Sequence, residues 1–313
     1  MLSRTADNLY WLFRYTERAD FVARILEATM RLAALPTSYS GVRNEWESAL
    51  AVAGDSDIFH LHYDVVNEDT VRDFLAFSQH NPSSIRSCLE SARTNARGVR
   101  TALTMEMWET INDAWLELQR GRRSDMDRNA FSDFLQFTKA VSLNFDGSAY
   151  RTMLRNDAYY FTRLGVSIER ADNTARILDV KYHMLLPETE RVGGSLDYFQ
   201  WTTILREVQA HTAYHWVYRE SVRPWLVADL LILNRQMPRS LACCCESLVR
   251  HLDLIADLYG RRGPAQRFAS ATSARLGAAR IEEVFGQGLH EWVSEFINEN
   301  NRLGAAIAEQ YLI

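Results

Sequence analysis

Apolar residues recur along most of the chain with the period of an α-helix. Near the start of the chain, the spacing of three and four residues that one helix face produces is followed by Leu12, Tyr15, Ala19, Val22, Ala23 and Leu26. The pattern predicts a helix from Ser3 to about Ala34. It ends before Pro36, because a proline disfavours the helical conformation of the residue that precedes it.

The same period continues in shorter segments that are separated by glycine, proline and serine. Helices are predicted over residues 42–53, 68–80, 82–96, 127–144, 149–185, 196–212, 224–235, 267–285 and 288–310. The segment 101–119 continues the helix before it or follows it as a separate helix, and residues 237–240 open a helix that runs to about 258. Irregular segments or turns are predicted at residues 55–66, 121–125, 144–147, 193–195 and 260–264. No long region alternates between apolar and polar residues as a half-buried strand does. The predicted fold class is therefore all-α.

One ten-residue phrase occurs twice. Residues 17–26 read Glu-Arg-Ala-Asp-Phe-Val-Ala-Arg-Ile-Leu, and residues 169–178 read Glu-Arg-Ala-Asp-Asn-Thr-Ala-Arg-Ile-Leu. Helix formation constrains the spacing of apolar residues but not the identity of each residue. Two nearly identical ten-residue segments therefore indicate an internal duplication. We predict an internally duplicated helical bundle with a pseudo-twofold repeat. Residues 1–147 form the first repeat and residues 148–313 the second, packed as one globular unit.

Other residues align between the halves at offsets of 151 to 156. The pairs are Pro36 and Pro187, Trp46 and Trp201, Asp73 and Asp229, Pro82 and Pro238, Ser84 and Ser240, and Cys88 and Cys244. We expect the two phrase-bearing helices to pack against each other near the axis. Gly165 stands where the first copy has Phe13. It allows the close approach of another helix or of a ligand.

Composition and charge narrow the class of protein. Of the 313 residues, 47% are hydrophobic and 24% charged, which is typical of a globular protein with a large core. A net charge of −5 argues against a generic nucleic-acid binder. Lysine occurs only at positions 139 and 181, so the cationic charge is almost all guanidinium, which binds carboxylate and phosphate in bidentate fashion. A coding bias toward arginine explains the same composition.

The cysteines and the apolar runs bear on location. Cys88 and the three adjacent cysteines at 243–245 include no Cys-x-x-Cys pair. We interpret them as buried thiols in a reducing compartment. No run approaches the ~18 uncharged apolar residues that a membrane span needs, and the first residues do not resemble a signal peptide. We expect a cytoplasmic protein with no membrane or nucleic-acid partner.

The repeated phrase also supplies the candidate functional residues. The ligand-binding candidates are Glu17, Arg18, Asp20, Arg24, Glu169, Arg170, Asp172 and Arg176. In each copy the Glu, the Asp and the second Arg share one side of the helix, and the Asp and Arg form an i,i+4 pair. An exposed pair of this kind contributes only about 0.2–0.5 kcal/mol. That is too little to explain why both copies have the same polar residues, so an interior or functional setting is favoured.

Two interpretations of these candidates remain open. In the first, they form a structural network in which each buried charge is paired, since an unpaired buried charge is costly. In the second, they line a pocket between the repeats. Arg18 and Arg170 would then bind a carboxylate or phosphate, while Glu17 and Glu169 bind an amine or accept a proton.

A metal or cofactor site is not predicted. Glu207, His211 and His215 have i, i+4, i+8 spacing, which would place three candidate metal ligands on one helix face. Helical di-iron sites instead use Glu-x-x-His pairs from more than one helix, and the first half has no equivalent trio. The sequence also contains no phosphate-binding glycine loop and no nucleophile elbow. Catalytic residues are therefore unassigned.

Several motifs together carry a family resemblance. They lie at residues 2–12, 15–19, 81–86, 104–109 and 167–176, and they resemble the bacterial alpha-E family, a helical domain named for a Glu-Arg motif. The resemblance covers essentially the whole chain. It implies a genomic association with a circularly permuted ATP-grasp amide ligase, often together with a transglutaminase-like peptidase. It thereby implies a part in making or modifying a small peptide or an amino-acid conjugate, without an assigned reaction.

Three functions are compatible with these observations. The chain is an accessory protein that binds a substrate or partner segment for an ATP-grasp-type ligase. Alternatively, it is itself an enzyme on peptide or amino-acid substrates that uses the duplicated Glu-Arg pairs. In the third alternative it is an interaction scaffold in which those pairs are purely structural.

Overall fold

A computed structural model describes residues 1–34, 45–120, 126–183 and 194–312, with the side chains of residues 180–183, 195 and 196 left aside. Within these ranges the regular structure is helical and contains no strand, which confirms the all-α prediction. The helices are α1 (Ser3–Ala33), α2 (Glu45–Ala53), α3 (Ser56–His60), α4 (Glu68–Ala76), α5 (Ile85–Gly98), α6 (Met105–Arg120), α7 (Arg128–Thr152), α8 (Asp157–His183), α9 (Ser195–Glu207), α10 (His211–Tyr218), α11 (Pro224–Ile232), α12 (Leu241–Tyr259), α13 (Pro264–Ala278), α14 (Ile281–Gln287) and α15 (Leu289–Ile307).

The two phrase-bearing helices, α1 and α8, pack directly against each other. Helix α1 also contacts α5 and α7, while α8 contacts α12 and α15. Both helices are buried around much of their circumference, which explains why their apolar residues extend beyond a single stripe. The expected contact between the two copies of the phrase is therefore present.

Gly165 lies at the closest approach of these two helices. A Cβ atom at this position would lie 2.3 Å from the backbone carbonyl oxygen of Tyr10 on α1. No side chain fits at that distance, so only glycine allows the two backbones to come this close. Of the two alternatives for Gly165, the structure therefore selects the close approach of a helix.

Serine caps fix the starts of two long helices. The Ser84 hydroxyl accepts a hydrogen bond from the Ser87 backbone N–H at 3.1 Å, and Ser240 accepts one from the Cys243 N–H at 3.0 Å. Such caps satisfy N–H groups that have no partner within the helix. The helix predicted from residue 82 therefore begins at Ile85, after its cap, and Pro82 lies outside it.

Several predicted boundaries are wrong. Residues 55–66 were predicted irregular but contain the short helix α3, and the helix predicted to end at residue 80 ends at Ala76. The turn predicted at 144–147 lies inside α7, which continues to Thr152 because Phe145 and Ala149 are buried and packing outweighs the glycine at 147. Helix α8 accordingly begins at Asp157 rather than at residue 149.

Two predicted helices are each divided. The helix predicted over 196–212 ends at Glu207, because Gln209 adopts a left-handed backbone with φ of 55°. The helix predicted over 267–285 is α13 followed by α14, with two extended residues, Ala279 and Arg280, between them. The predictions for residues 42–44, 121–125, 184–185 and 193 lie outside the described residues.

The hydropathy of the helices and the state of the cysteines bear on the predicted location. In the described part of the chain, no helix combines the length and the apolar character that crossing a bilayer requires. The four cysteines are free thiols, three of them buried. A reducing, cytoplasmic setting stays a prediction.

Candidate functional site

Glu17 on α1 binds two arginines from other parts of the chain. Its carboxylate accepts hydrogen bonds from Arg170 Nε at 3.1 Å and Arg170 Nη2 at 2.9 Å. A third hydrogen bond, at 2.7 Å, comes from Nη1 of Arg239, which lies just before α12. Both carboxylate oxygens are thus occupied by guanidinium groups in a buried setting, the arrangement in which ion pairs are strong and specific.

Glu169 on α8 has the reciprocal arrangement. Its carboxylate accepts hydrogen bonds from Arg18 Nε at 2.5 Å, Arg18 Nη2 at 3.0 Å and Arg14 Nε at 2.8 Å. The Glu-Arg dipeptide of each helix therefore binds the dipeptide of the other, with the roles of donor and acceptor exchanged. Four of the eight candidate residues meet in this contact.

The two i,i+4 pairs predicted from the sequence are confirmed. Arg24 donates two hydrogen bonds to Asp20, at 2.7 and 2.8 Å, and Arg176 donates one to Asp172 at 2.7 Å. The pairs differ in their surroundings. Asp20 also binds Arg239 Nη2 at 3.1 Å, whereas Asp172 Oδ1 is buried without a hydrogen-bond partner among the described residues. The two copies of the phrase therefore lie in different surroundings.

Arg14 and Arg239 complete the network, and neither is among the candidates predicted from the sequence. Arg14 lies one turn before Arg18 on the same helix face, a position that could have indicated it. Arg239 carries no such signal, because it stands 222 residues from Glu17.

The electrostatic setting keeps both glutamates ionised. Burial alone would raise the pKa of Glu17, but the charges and hydrogen bonds of Arg170 and Arg239 outweigh burial and hold that pKa well below its ordinary value. Arg18 and Arg14 have the same effect on the pKa of the buried Glu169. Neither carboxylate is therefore disposed to accept a proton near neutral pH.

This setting predicts a loss of stability in acid. A carboxylate whose pKa is lowered by folding contributes stability above its unfolded pKa, here 4.5, and loses it as the pH falls toward the folded value. We expect the free energy of unfolding to fall by roughly 2–3 kcal/mol per glutamate between about pH 5 and pH 2. Urea unfolding across this range measures it, with Glu169→Gln expected to show a shallower dependence. An equal slope for both proteins would contradict the assignment.

A cleft of about 280 Å³ opens beside the Glu17 half of the network. It lies between α1, α7 and α8, and Gln209 and Arg239 also line it. Its charged lining consists of the cations Arg24, Lys139, Arg170 and Arg239 and the acids Glu17, Asp20 and Asp146. The cleft lining thus has more cationic than acidic groups. Its volume is near that of sites that bind small ligands.

The trio considered for metal binding is separated by the break in the predicted helix. Glu207 ends α9, and His211 and His215 belong to α10. Burial raises the pKa of Glu207 to about 8. Across the described ranges, no group of three histidine, cysteine or acidic side chains is arranged to hold a metal ion.

Comparison with known proteins identifies the family to which this chain is similar. The model of the Alpha-E family, described as a predicted alpha-helical domain with a conserved ER motif, matches residues 1–312. No curated protein and no solved structure matches the chain. The Glu-Arg dipeptides at 17–18 and 169–170 are the ones that bind each other between α1 and α8. With the match covering nearly its whole length, the chain belongs to the Alpha-E family.

Proposed function

We propose that this protein is a helical accessory protein that binds a small peptide or amino-acid ligand, or a partner segment, through a carboxylate or phosphate group. We further propose that it works with an ATP-grasp-type amide ligase and a transglutaminase-like protein in making or modifying a small peptide or an amino-acid conjugate. The cationic cleft beside Glu17 is the observation that carries the ligand-binding part. The ligase partnership comes from the family resemblance.

Unused hydrogen-bond donors in the cleft support an anionic ligand. A guanidinium group has five N–H donors. Arg170 uses Nε and Nη2 on Glu17, and Arg239 uses Nη1 and Nη2 on Glu17 and Asp20. Nη1 of Arg170 and Nε of Arg239 have no hydrogen bond to the described residues. Both arginines are thus held in place by internal carboxylates while keeping donors for a ligand.

The state of the glutamates supports binding over catalysis. A general base works best with a pKa near the operating pH, and the arginines move the pKa of Glu17 and Glu169 in the opposite direction. Within the network, the arginines are therefore the better candidates for ligand contact. The glutamates hold the arginines in position.

A purely structural role is the second candidate function. It is favoured by the occupation of both oxygens of Glu17 and of Glu169 by guanidinium groups, as in a network whose purpose is to join α1 to α8. In this alternative the chain is an interaction scaffold, and the cleft has no ligand. Substitution of Arg239 separates the two candidates.

We also infer that the chain is an internal duplication with a pseudo-twofold axis between α1 and α8. The exchanged Glu-Arg contacts support it, as do two equivalent hydrogen bonds, Tyr63 to Asp73 and Tyr218 to Asp229. The helix contacts also correspond, since α1 packs on α5 and α7 as α8 packs on α12 and α15. The proposed boundary at 147/148 falls within α7, so the segment after Thr152 is a better division.

Arg239→Gln tests the ligand-binding proposal. Glu17 keeps Arg170 and Asp20 keeps Arg24 in this variant, so we expect the fold to survive. With tagged protein as bait in the native cell extract, we expect wild type to retain an ATP-grasp ligase or a small acidic molecule. The loss of one charge-assisted hydrogen bond reduces retention by about 10-fold or more. Mass spectrometry of retained proteins and small molecules provides the measurement.

Arg235→Gln is the matched control. It makes the same change four residues away, at an exposed arginine that pairs with Glu246 outside the cleft. We expect it to retain the same molecules as wild type. If Arg239→Gln, with an unchanged melting temperature, also retains what wild type retains, the cleft is not the binding site and the structural role is favoured.

A further inference from the structure

A second cavity of about 280 Å³ lies in the first half of the chain, away from the Glu-Arg network. Its wall is formed by Phe77, Leu118, Met126, Phe134 and Phe137. The rings of Phe77 and Phe134 are 5.0 Å apart between centroids. An aromatic wall of this kind is typical of sites for small apolar groups.

Arg86, on the first turn of α5, is the cation among the described residues that line this cavity. Its Nε is buried and has no hydrogen-bond partner among the described residues, and the guanidinium forms no ion pair with them. By contrast, Arg72 pairs with Glu68, and Arg93 donates a hydrogen bond to Asn112. A buried N–H without a partner costs free energy. Because no described acid pairs with it, Arg86 brings an uncompensated positive charge to the cavity.

Two acids restrict the charge of a ligand. Glu117 and Asp133 also line the cavity, and both are exposed. Their charges disfavour a ligand with several negative charges, such as a phosphate monoester, while a single carboxylate bound to Arg86 is tolerated. The combination of an aromatic wall, one unpaired cation and two acids therefore selects a monoanion with an apolar body.

We propose that this cavity binds a small monocarboxylate with an aromatic or branched apolar body. Arg86 anchors the carboxylate through its terminal guanidinium nitrogens, in the bidentate geometry that arginine favours. The apolar body packs against Phe77 and Phe134. This inference is independent of the function proposed for the cleft beside Glu17.

Titration calorimetry with 3-phenylpropionate as the probe tests the proposal. Wild type is expected to bind it with a Kd below about 1 mM, in keeping with the size of the ligand. The same body with a hydroxyl, 3-phenylpropan-1-ol, and the same body with a dianion, 2-phenylethyl phosphate, are expected to bind at least about 10-fold more weakly. Equal binding of the acid and the alcohol would overturn the role of Arg86.

Variants locate the site. Arg86→Leu is expected to weaken 3-phenylpropionate binding by about 10- to 100-fold while leaving the alcohol unaffected. Arg93→Leu, on the same helix but outside the cavity lining, is the matched control and is expected to bind as wild type does. Arg239→Gln is likewise expected to bind as wild type does, which keeps this site distinct from the cleft.

A cavity-filling variant covers the case in which Arg86→Leu does not fold. Ala130 on α7 lines the cavity and is exposed, so Ala130→Phe is expected to fold and to abolish binding of both the acid and the alcohol. Absence of acid binding to wild type at ~10 mM, or acid binding that Ala130→Phe leaves unchanged, would refute the proposal.

Discussion

Replacing Glu169 by glutamine is expected to lower the free energy of unfolding by about 2–4 kcal/mol. The change keeps the size of the side chain but removes the charge that pairs with Arg14 and Arg18. Neither arginine has another carboxylate partner among the described residues. Breaking a fully buried pair costs about 3–5 kcal/mol. The expected loss is somewhat smaller, because the two arginine side chains are 17% and 23% exposed. Urea unfolding at neutral pH measures it.

Glu117→Gln is the control for this loss. It removes the same charge from an exposed pair with Arg120, a kind of pair that contributes about 0–1 kcal/mol. We expect its unfolding curve to lie close to that of wild type. If Glu169→Gln unfolds at the same urea concentration as Glu117→Gln, the network does not stabilise the contact between α1 and α8. The interpretation of that contact as a structural centre would then be wrong.

Gly165→Ala is expected to cost about 2–3 kcal/mol of stability, the range in which an overpacked core lies. The added Cβ would stand 2.3 Å from the carbonyl oxygen of Tyr10, a backbone atom that moves only if α1 and α8 separate. In an open helical position the same change would stabilise by up to about 1 kcal/mol, so the expected sign depends on the contact between the helices. Chemical unfolding measures the loss.

Gly147→Ala makes the same substitution in an open position. Gly147 lies in α7, and beyond its chain neighbours and the local backbone of its own helix no heavy atom of the described residues is within 4 Å of its ideal Cβ position. We expect this variant to be as stable as wild type or slightly more stable, since alanine favours the helix. A Gly165→Ala variant as stable as Gly147→Ala would mean that the two helices do not approach as closely as the structure has them.

The two destabilising changes also bear on the choice between a structural and a ligand-binding network. Both act where α1 meets α8, whereas Arg239→Gln removes a donor from the cleft and leaves every carboxylate with an arginine. A binding function lost in Arg239→Gln at unchanged stability would therefore assign the cleft a role separate from the role of the helix contact.

Features that depend on neighbouring residues could be predicted from the sequence. The long first helix and the Asp20–Arg24 pair follow from side chains within one or two turns of each other. The approximate starts of α5 and α12 follow from the proline and serine residues that precede them. Boundaries were less predictable where packing outweighed local preference. Gly147 remains inside α7 because its neighbours are buried, and the left-handed Gln209 ends α9 without a glycine or proline to signal it.

The pairing of the Glu-Arg dipeptides could not be predicted from residues that are neighbours in the sequence. Adjacent residues on a helix point about 100° apart, so Glu17 and Arg18 cannot pair with each other. By itself, the sequence determined that two such dipeptides lie on two similar helices. Only the packing of α1 on α8, at the distance that Gly165 permits, brought Glu17 to Arg170 and Arg18 to Glu169. These contacts join residues more than 150 positions apart, and no local pattern encodes which distant side chains meet.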